Sequence, residues 1–405
     1  MKVPKASEQA AWLGPAAITL AVIAAFGVWF ARAKTGAGLD PEVLWRKGEA
    51  AFSAGRYDEA EQAILILAKI RTPTPLDRLL RAQLAMYRKQ DDAAVAELSK
   101  VPDGDQVTAQ ARLLEGQVEL RRNRLIYAEK KLRAALKADP SMIMPHRELI
   151  FIYGVQVRRT KLSAEFSALS QLAPLAYDNV FHWCLTRNSD WQREEHNKML
   201  QSYLDADPED RFSRLALAEN WRQLGRREDA DKVLAPLPES DPDARVIRVW
   251  LALDRNDEEL AESLLADAPE NVPDLDRLIA RRALARGDGK TALKHYRSAY
   301  KAQPDNRDNA FGLGQALVMT GDPVLAAPFL ELAKDHDELG TLVQRAATPE
   351  GRKDVTLLKA LGAACEKVNR LPEARAWYNL AIQENALDND VQKALFRIKE
   401  REGKG

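Results

Sequence analysis

A chain of 405 residues with 46% apolar and 30% charged side chains has ample material for a core and a well-solvated surface. Sixty basic residues offset sixty acidic ones, so no basic excess points to nucleic acid and no acidic tail is present. Two cysteines, Cys184 and Cys365, lie far apart without CxxC spacing, which excludes a zinc-finger pattern and a disulfide framework for most of the chain; they fit a reducing compartment or a fold that needs no bridges.

Residues 1–10 form a short flank. Leu13 to Ala31 reads LGPAAITLAVIAAFGVWFA, without a charge. About twenty apolar residues at ~1.5 Å rise each cross a ~30 Å hydrocarbon core, so 11–31 is expected to be one transmembrane helix. Trp12, Trp29 and Phe30 stand near its ends, where amphipathic rings favour the interface, and Arg32 and Lys34 stop it. Ala31-Arg32-Ala33 also fits a signal-cleavage pattern, which would leave a secreted or periplasmic carrier. The apolar run is longer than the usual ~7–15-residue core of a signal peptide, so the anchor is preferred. Lys2 and Lys5 nearly balance Arg32 and Lys34 under the positive-inside rule. The expectation is a single-pass protein of a bacterial cytoplasmic membrane, its long C-terminal part outside the cytoplasm and 32–40 a linker.

From residue 41 onward three residue types keep one period. Ala60, Ala94 and Ala128 are 34 apart; Leu162 and His196 occupy the next two marks and Ala230 the third, Ala261 and Ala292 follow at steps of 31, Ala326 at 34 and Ala374 at 48. Pro140, Pro174, Pro208 and Pro242 are also 34 apart, as are Gly287 and Gly321. A step of 48 between Ala326 and Ala374 marks an insertion near 335–354. Ala310-x2-Leu313-Gly314-x2-Leu317, followed by Gly321, Ala326, Leu330 and Ala333, is one clear copy. Leu358-x2-Leu361-Gly362-x2-Cys365, with Ala374, Tyr378 and Ala381, is another, and Gly116, Ala128, Leu132, Ala135 and Pro140 mark a third. This pattern resembles the tetratricopeptide repeat. The resemblance covers 41–386 in about ten repeats and implies an all-α superhelix of helix hairpins, an α-solenoid, with a concave groove.

Three stretches invite other readings. Around His196, where alanine is expected, lie Tyr177, Phe181, His182, Trp183, Cys184, Trp191 and Tyr203. His182, Cys184 and His196 are possible zinc ligands, and an enzyme using this patch at 177–203 is the minor alternative. However, residues two apart on a helix point away from each other, so packing is the preferred reading. RGDGKTALKHY, Arg286 to Tyr296, mimics the end of a P-loop, but the glycine required five residues before Gly289 is Leu284, so a turn between helices is expected and no nucleotide site. Asp335-His336-Asp337 in the insertion reads as a solvated polar segment. No serine-hydrolase, metalloprotease, dinucleotide or kinase motif occurs.

The sequence therefore points to no enzyme, cofactor or metal. The tetratricopeptide resemblance implies that first helices line a groove for protein or peptide partners. On the better copies the groove positions are Trp45, Glu49, Gln117, Arg121, Arg277, Arg281, Phe311, Gln315, Lys359 and Glu366. The lysine-asparagine pairs with which some family members clamp a C-terminal carboxylate do not appear. Residues 387–405 are expected to form a capping helix and tail. The functional expectation is a membrane-anchored interaction scaffold or adaptor.

Overall fold

The computed structural model describes residues 40–188 and 194–403. The expected membrane helix at 11–31 and Trp191 lie outside the described residues. Within them the chain forms 21 α-helices, one 3-10 turn and no strand, and no helix is long and apolar enough to cross a membrane.

Twenty of the helices follow one another as ten pairs. The first three are α1 (Pro41–Ser53) with α2 (Tyr57–Ile70), α3 (Pro75–Tyr87) with α4 (Asp91–Leu98), and α5 (Thr108–Arg121) with α6 (Leu125–Ala138). Next come α7 (Ile143–Val155) with α8 (Arg159–Leu172), α9 (Tyr177–Asn188) with α10 (Glu194–Ala206), and α11 (Arg211–Gln223) with α12 (Arg227–Leu234). The last four are α13 (Pro242–Asp254) with α14 (Glu258–Ala266), α15 (Pro273–Ala285) with α16 (Gly289–Ala302), α17 (Arg307–Met319) with α18 (Pro323–Ala346), and α19 (Val355–Lys367) with α20 (Leu371–Glu384). A single helix, α21 (Asn389–Glu402), ends the described chain.

Local chemistry sets the ends of these helices. Prolines at the first turn start α1, α3, α13, α15 and α18, where the missing N–H costs nothing. Asp241, Asp257, Asp288, Asp354 and Asp388 accept backbone N–H bonds as N-caps. Inside nine of the pairs one turn residue is left-handed: Gly55, Lys89, Asn123, Val157, Gly225, Asn256, Gly287, Gly321 and Asn369. Each stands five residues before a mark of the alanine series, so backbone and side-chain periodicities are in phase. The alanines on these marks are fully buried from Ala60 to Ala374, where small side chains let paired helices approach closely. Gly287 and the Asp288 cap, which accepts from Thr291 N at 3.1 Å, make RGDGKT an inter-helix turn.

The chain divides into two compact units, one of residues up to 121 with Lys130–Pro140, the other of Arg122–Glu129 with Ser141 onward. In the first, Leu44, Ile64, Leu67 and Leu80 form one core, and Ala82, Leu98, Ala111 and Val118 belong to another. In the second, buried clusters recur pair by pair, as at Ala218, Ala230, Leu234 and Ile247 and again at Ala292, Tyr296, Leu313 and Ala326. Neighbouring pairs are also tied by ions: Arg88 to Asp58 at 2.7 Å and Arg121 to Asp91 in the first unit, Arg211 to Asp241 at 2.6 Å, Arg222 to Asp254 at 2.9 Å and Arg397 to Glu366 at 2.6 Å in the second.

The insertion lengthens a helix. Helix α18 runs for 24 residues and leads into a 3-10 turn at Gly351–Lys353. This corrects the solvated reading of Asp335-His336-Asp337: the three lie within α18, and His336 is 4% exposed. Its flanking acids still face outward to cations, Asp335 to Lys367 at 3.6 Å and Asp337 to Arg307 at 3.0 Å.

Candidate functional site

The groove positions read from the sequence lie on first helices, and the structure gives several of them partners. Trp45 is half-buried on α1 against the Leu44–Ile64–Leu67–Leu80 core, with Glu49 exposed one turn on. Gln117 is half-buried on α5, and Arg121 at the end of that helix bonds the Met86 carbonyl at 3.1 Å and the Asp91 carboxylate. Arg277 pairs with Asp274 at 2.6 Å, while exposed Arg281 sits 5.6 Å over the Trp250 ring. Phe311 lies under the Arg307 guanidinium at 4.6 Å, and Gln315 is exposed.

Lys359 and Glu366 occupy α19. Lys359 donates to Asp388 at 2.8 Å, and that hydrogen bond raises its pKa. Burial pushes the Glu366 carboxyl up, but hydrogen bonds from Arg397 at 2.6 Å and Tyr378 at 3.0 Å outweigh it and hold the group below the ordinary range. Beside these residues an open groove of about 440 Å³ is lined by Lys359, Ala360, Ala363, Tyr378, Asp390, Val391, Lys393, Ala394 and Arg397. Three cations and the Asp390 carboxylate line it over an apolar floor, with Lys359 and Arg397 already held by Asp388 and Glu366. The sequence singled out Lys359; the α21 wall of the groove was read only as a cap.

A second assembly was not legible as one. Helix α9 packs against α18 and α20, and α8 also touches α20. Tyr177 donates to the Ala346 carbonyl at 2.7 Å, meets the Trp377 ring edge-on at 5.7 Å and lies 5.1 Å from the Arg352 guanidinium, which pairs with Asp178. Arg375 donates to Ser170 Oγ at 3.1 Å. Below this seam Arg187 bonds Glu373 at 2.8 Å and pairs with Asp305, and Arg370 stands 3.8 Å from Glu373. Cys184, Cys365 and Glu373 are buried with their ligand-type atoms within 4.8 Å of one another. Burial, and then the neighbouring Cys184 thiol, hold the Cys365 thiol well above its ordinary pKa. His336 is close by: burial first, then the charges of Arg370 and Arg187, lower its pKa to about 4, so the imidazole is neutral.

Among the described residues the possible zinc ligands His182, Cys184 and His196 do not gather into a ligand cluster. Among the described residues Cys184 is grouped with Cys365 and Glu373, while His182 sits near the Phe166 ring at 6.4 Å. Trp183 is buried, stacks on Phe166 at 5.5 Å and donates Nε1 to Ser163 Oγ at 3.0 Å. Within the patch Tyr177 thus packs on Trp377, two hundred residues away, and Trp183 on Phe166 of the preceding helix.

Residues 22–74 and 277–340 match the family model of the tetratricopeptide repeat. The first match begins inside the apolar N-terminal run. No curated protein matches. Among solved structures, the APC/C hetero-tetramer Cut9-Hcn1 is 12% identical over 91% of this chain and 92% of that one, with a TM-score of 0.34. Yeast Tom70 is 13% identical over 87% and 98%, with a TM-score of 0.33. A tetratricopeptide-repeat protein of Cytophaga hutchinsonii is 12% identical over 66% and 99%, with a TM-score of 0.32. The helix pairs and this partial match agree: the described chain is an all-α array of helix hairpins, and the tetratricopeptide-repeat model covers 22–74 and 277–340 of the sequence.

Proposed function

We propose that this protein is an interaction scaffold. It binds protein or peptide partners on the faces of its first helices and is held at a membrane by the apolar segment at 11–31. The observation that carries the reading is the repeat array itself: family-matched helix hairpins whose first helices present Glu49, Arg281 and Gln315 to solvent beside half-buried Trp45 and Phe311. Exposed polar groups next to apolar rings suit recognition of an extended or helical segment. The C-terminal groove, with Lys359, Lys393 and Arg397 around an apolar floor, suits a segment carrying a carboxylate.

The test is crosslinking in native bacterial membranes, followed by identification of captured proteins, comparing the wild type with a variant changed at Trp45, Arg281 and Phe311. Partners lost in the variant while its helical circular dichroism is unchanged support the scaffold; an identical capture profile rejects these residues as the binding face. Protease access to intact spheroplasts decides orientation, and digestion of the repeat domain from outside is the expected result. The carrier reading rests on Ala31-Arg32-Ala33 and requires a mature chain starting near Lys34 by mass spectrometry.

A further inference from the structure

The chain has two cysteines, Cys184 on α9 and Cys365 on α19, separated by almost half its length. Both are fully buried, and their sulfurs lie within 4.8 Å of each other. They meet at the seam where α9 packs on α18 and α20, beside the Arg187–Glu373 pair. We propose that Cys184 and Cys365 form a disulfide that covalently fastens this seam. The proposal goes beyond the scaffold reading and holds whether or not the chain is anchored.

A metal is the competing use of two thiols and a carboxylate, and the surroundings oppose it. Three donors fall short of the four a structural zinc takes. One oxygen of Glu373 already accepts from Arg187, and Arg370 stands beside the other, so two fixed positive charges border the place a cation would take. A disulfide is neutral and apolar and suits a fully buried site.

The chemistry needs an external disulfide, RSSR. One cysteine thiolate attacks a sulfur of RSSR and expels RS⁻, giving a mixed disulfide. The second cysteine thiolate attacks the protein-side sulfur, expels the other RS⁻ and closes the bond. In sum two Cys–SH and one RSSR give one Cys–S–S–Cys and two RSH; the two electrons and two protons of the thiols end on the RSH products. Attack requires an accessible thiolate, so the bond forms while the seam is open, during folding or transient parting, and is shielded from reductant once the seam closes.

The experiment refolds the full chain from urea with either oxidised glutathione or dithiothreitol, blocks residual thiols with maleimide under denaturing conditions, and measures intact and peptide masses. After oxidised refolding the expected product takes up no maleimide, weighs about 2 Da less than the reduced chain, and yields a crosslinked peptide containing Cys184 and Cys365. Closing so long a loop raises the urea midpoint by about 1 M, and dithiothreitol added in urea reverses the rise. Cys184→Ser and Cys365→Ser each abolish the mass loss and the rise, and the wild-type masses stand without either variant. Full maleimide labelling after oxidised refolding, glutathione adducts in place of the crosslink, or bonds between chains only would overturn the proposal. So would stoichiometric zinc that blocks both thiols and is released by a chelator.

Discussion

Tyr177 Oη donates to the carbonyl of Ala346, 2.7 Å away across 169 residues of sequence. Tyr177 begins the segment in which histidine replaces alanine on the repeat mark, and Ala346 ends the helix that the insertion lengthens. The segment with histidine on its mark and the helix lengthened by the 48-residue step are therefore the two sides of one interface. A repeat contacts its sequence neighbours by default; an extra contact requires surface that the consensus does not supply, and here aromatic rings and about ten more residues of helix supply it.

Cutting this interface destabilises the second unit. Arg187→Ala leaves the Glu373 carboxylate, which is fully buried, without its 2.8 Å partner and is expected to cost about 3 kcal/mol. Tyr177→Phe, which loses one half-buried hydrogen bond, is expected to cost about 1 kcal/mol. Urea unfolding followed by circular dichroism reads both, and an Arg187→Ala midpoint equal to wild type would show that the pair contributes nothing.

Val157 holds a left-handed backbone, φ +54°, at a turn where the corresponding residues 225, 287 and 321 are glycine. A β-branched residue is poorly suited to that region, and relief is worth ~1–2 kcal/mol, offset in part by the greater chain entropy of glycine when unfolded. Val157→Gly is therefore expected to raise stability by about 1 kcal/mol. Gly225→Val runs the other way, and thermal melts of the two variants should move in opposite directions.

Close helix approach at Gly312 leaves no room for a side chain. A Cβ there would lie 2.1 Å from the ring of Tyr296, itself a core residue. Gly312→Ala gains helix propensity yet must displace the ring, for a net loss of about 1–3 kcal/mol. Adding Tyr296→Leu to Gly312→Ala should recover part of the loss in a double-mutant cycle, whereas simple additivity would show that the two residues do not meet.

His336 gives the second unit an acid-sensitive step. Its folded pKa, about 4, lies below the ordinary value of 6.5, so between these pH values the unfolded chain binds more protons than the folded one. The stabilising contribution is complete above pH 6.5 and is lost as pH falls towards 4, by about 3 kcal/mol in all. Unfolding midpoints measured from pH 7 to pH 4 should fall accordingly, and His336→Leu should flatten that part of the profile. An unchanged profile would mean that His336 is solvated.

The hairpins were legible because packing between adjacent helices is written locally: alanine or glycine at close approach, aspartate at the next cap, proline at the next start. The seam was not. Cys184 and Cys365 fall in different repeats, and no spacing rule joins them; only the break at His196 and the 48-residue step signalled that something other than neighbour packing was at work. The ion pairs escaped for a related reason. Arg121, Lys359 and Glu366 stand at groove positions, yet each turns to a carboxylate or guanidinium about thirty residues away, a reach that depends on how successive pairs stack.

An array built only from neighbour contacts unravels from its ends, one hairpin after another. Here α20, in the last hairpin, is sewn to α8 and α9, so it cannot peel away without parting Arg187 from Glu373 and uncovering Trp377. A pull on the C-terminus meets the whole span from α8 to α20 at once. The second unit should therefore yield in one abrupt event at high force, where an open solenoid of the same length would pay out in small steps.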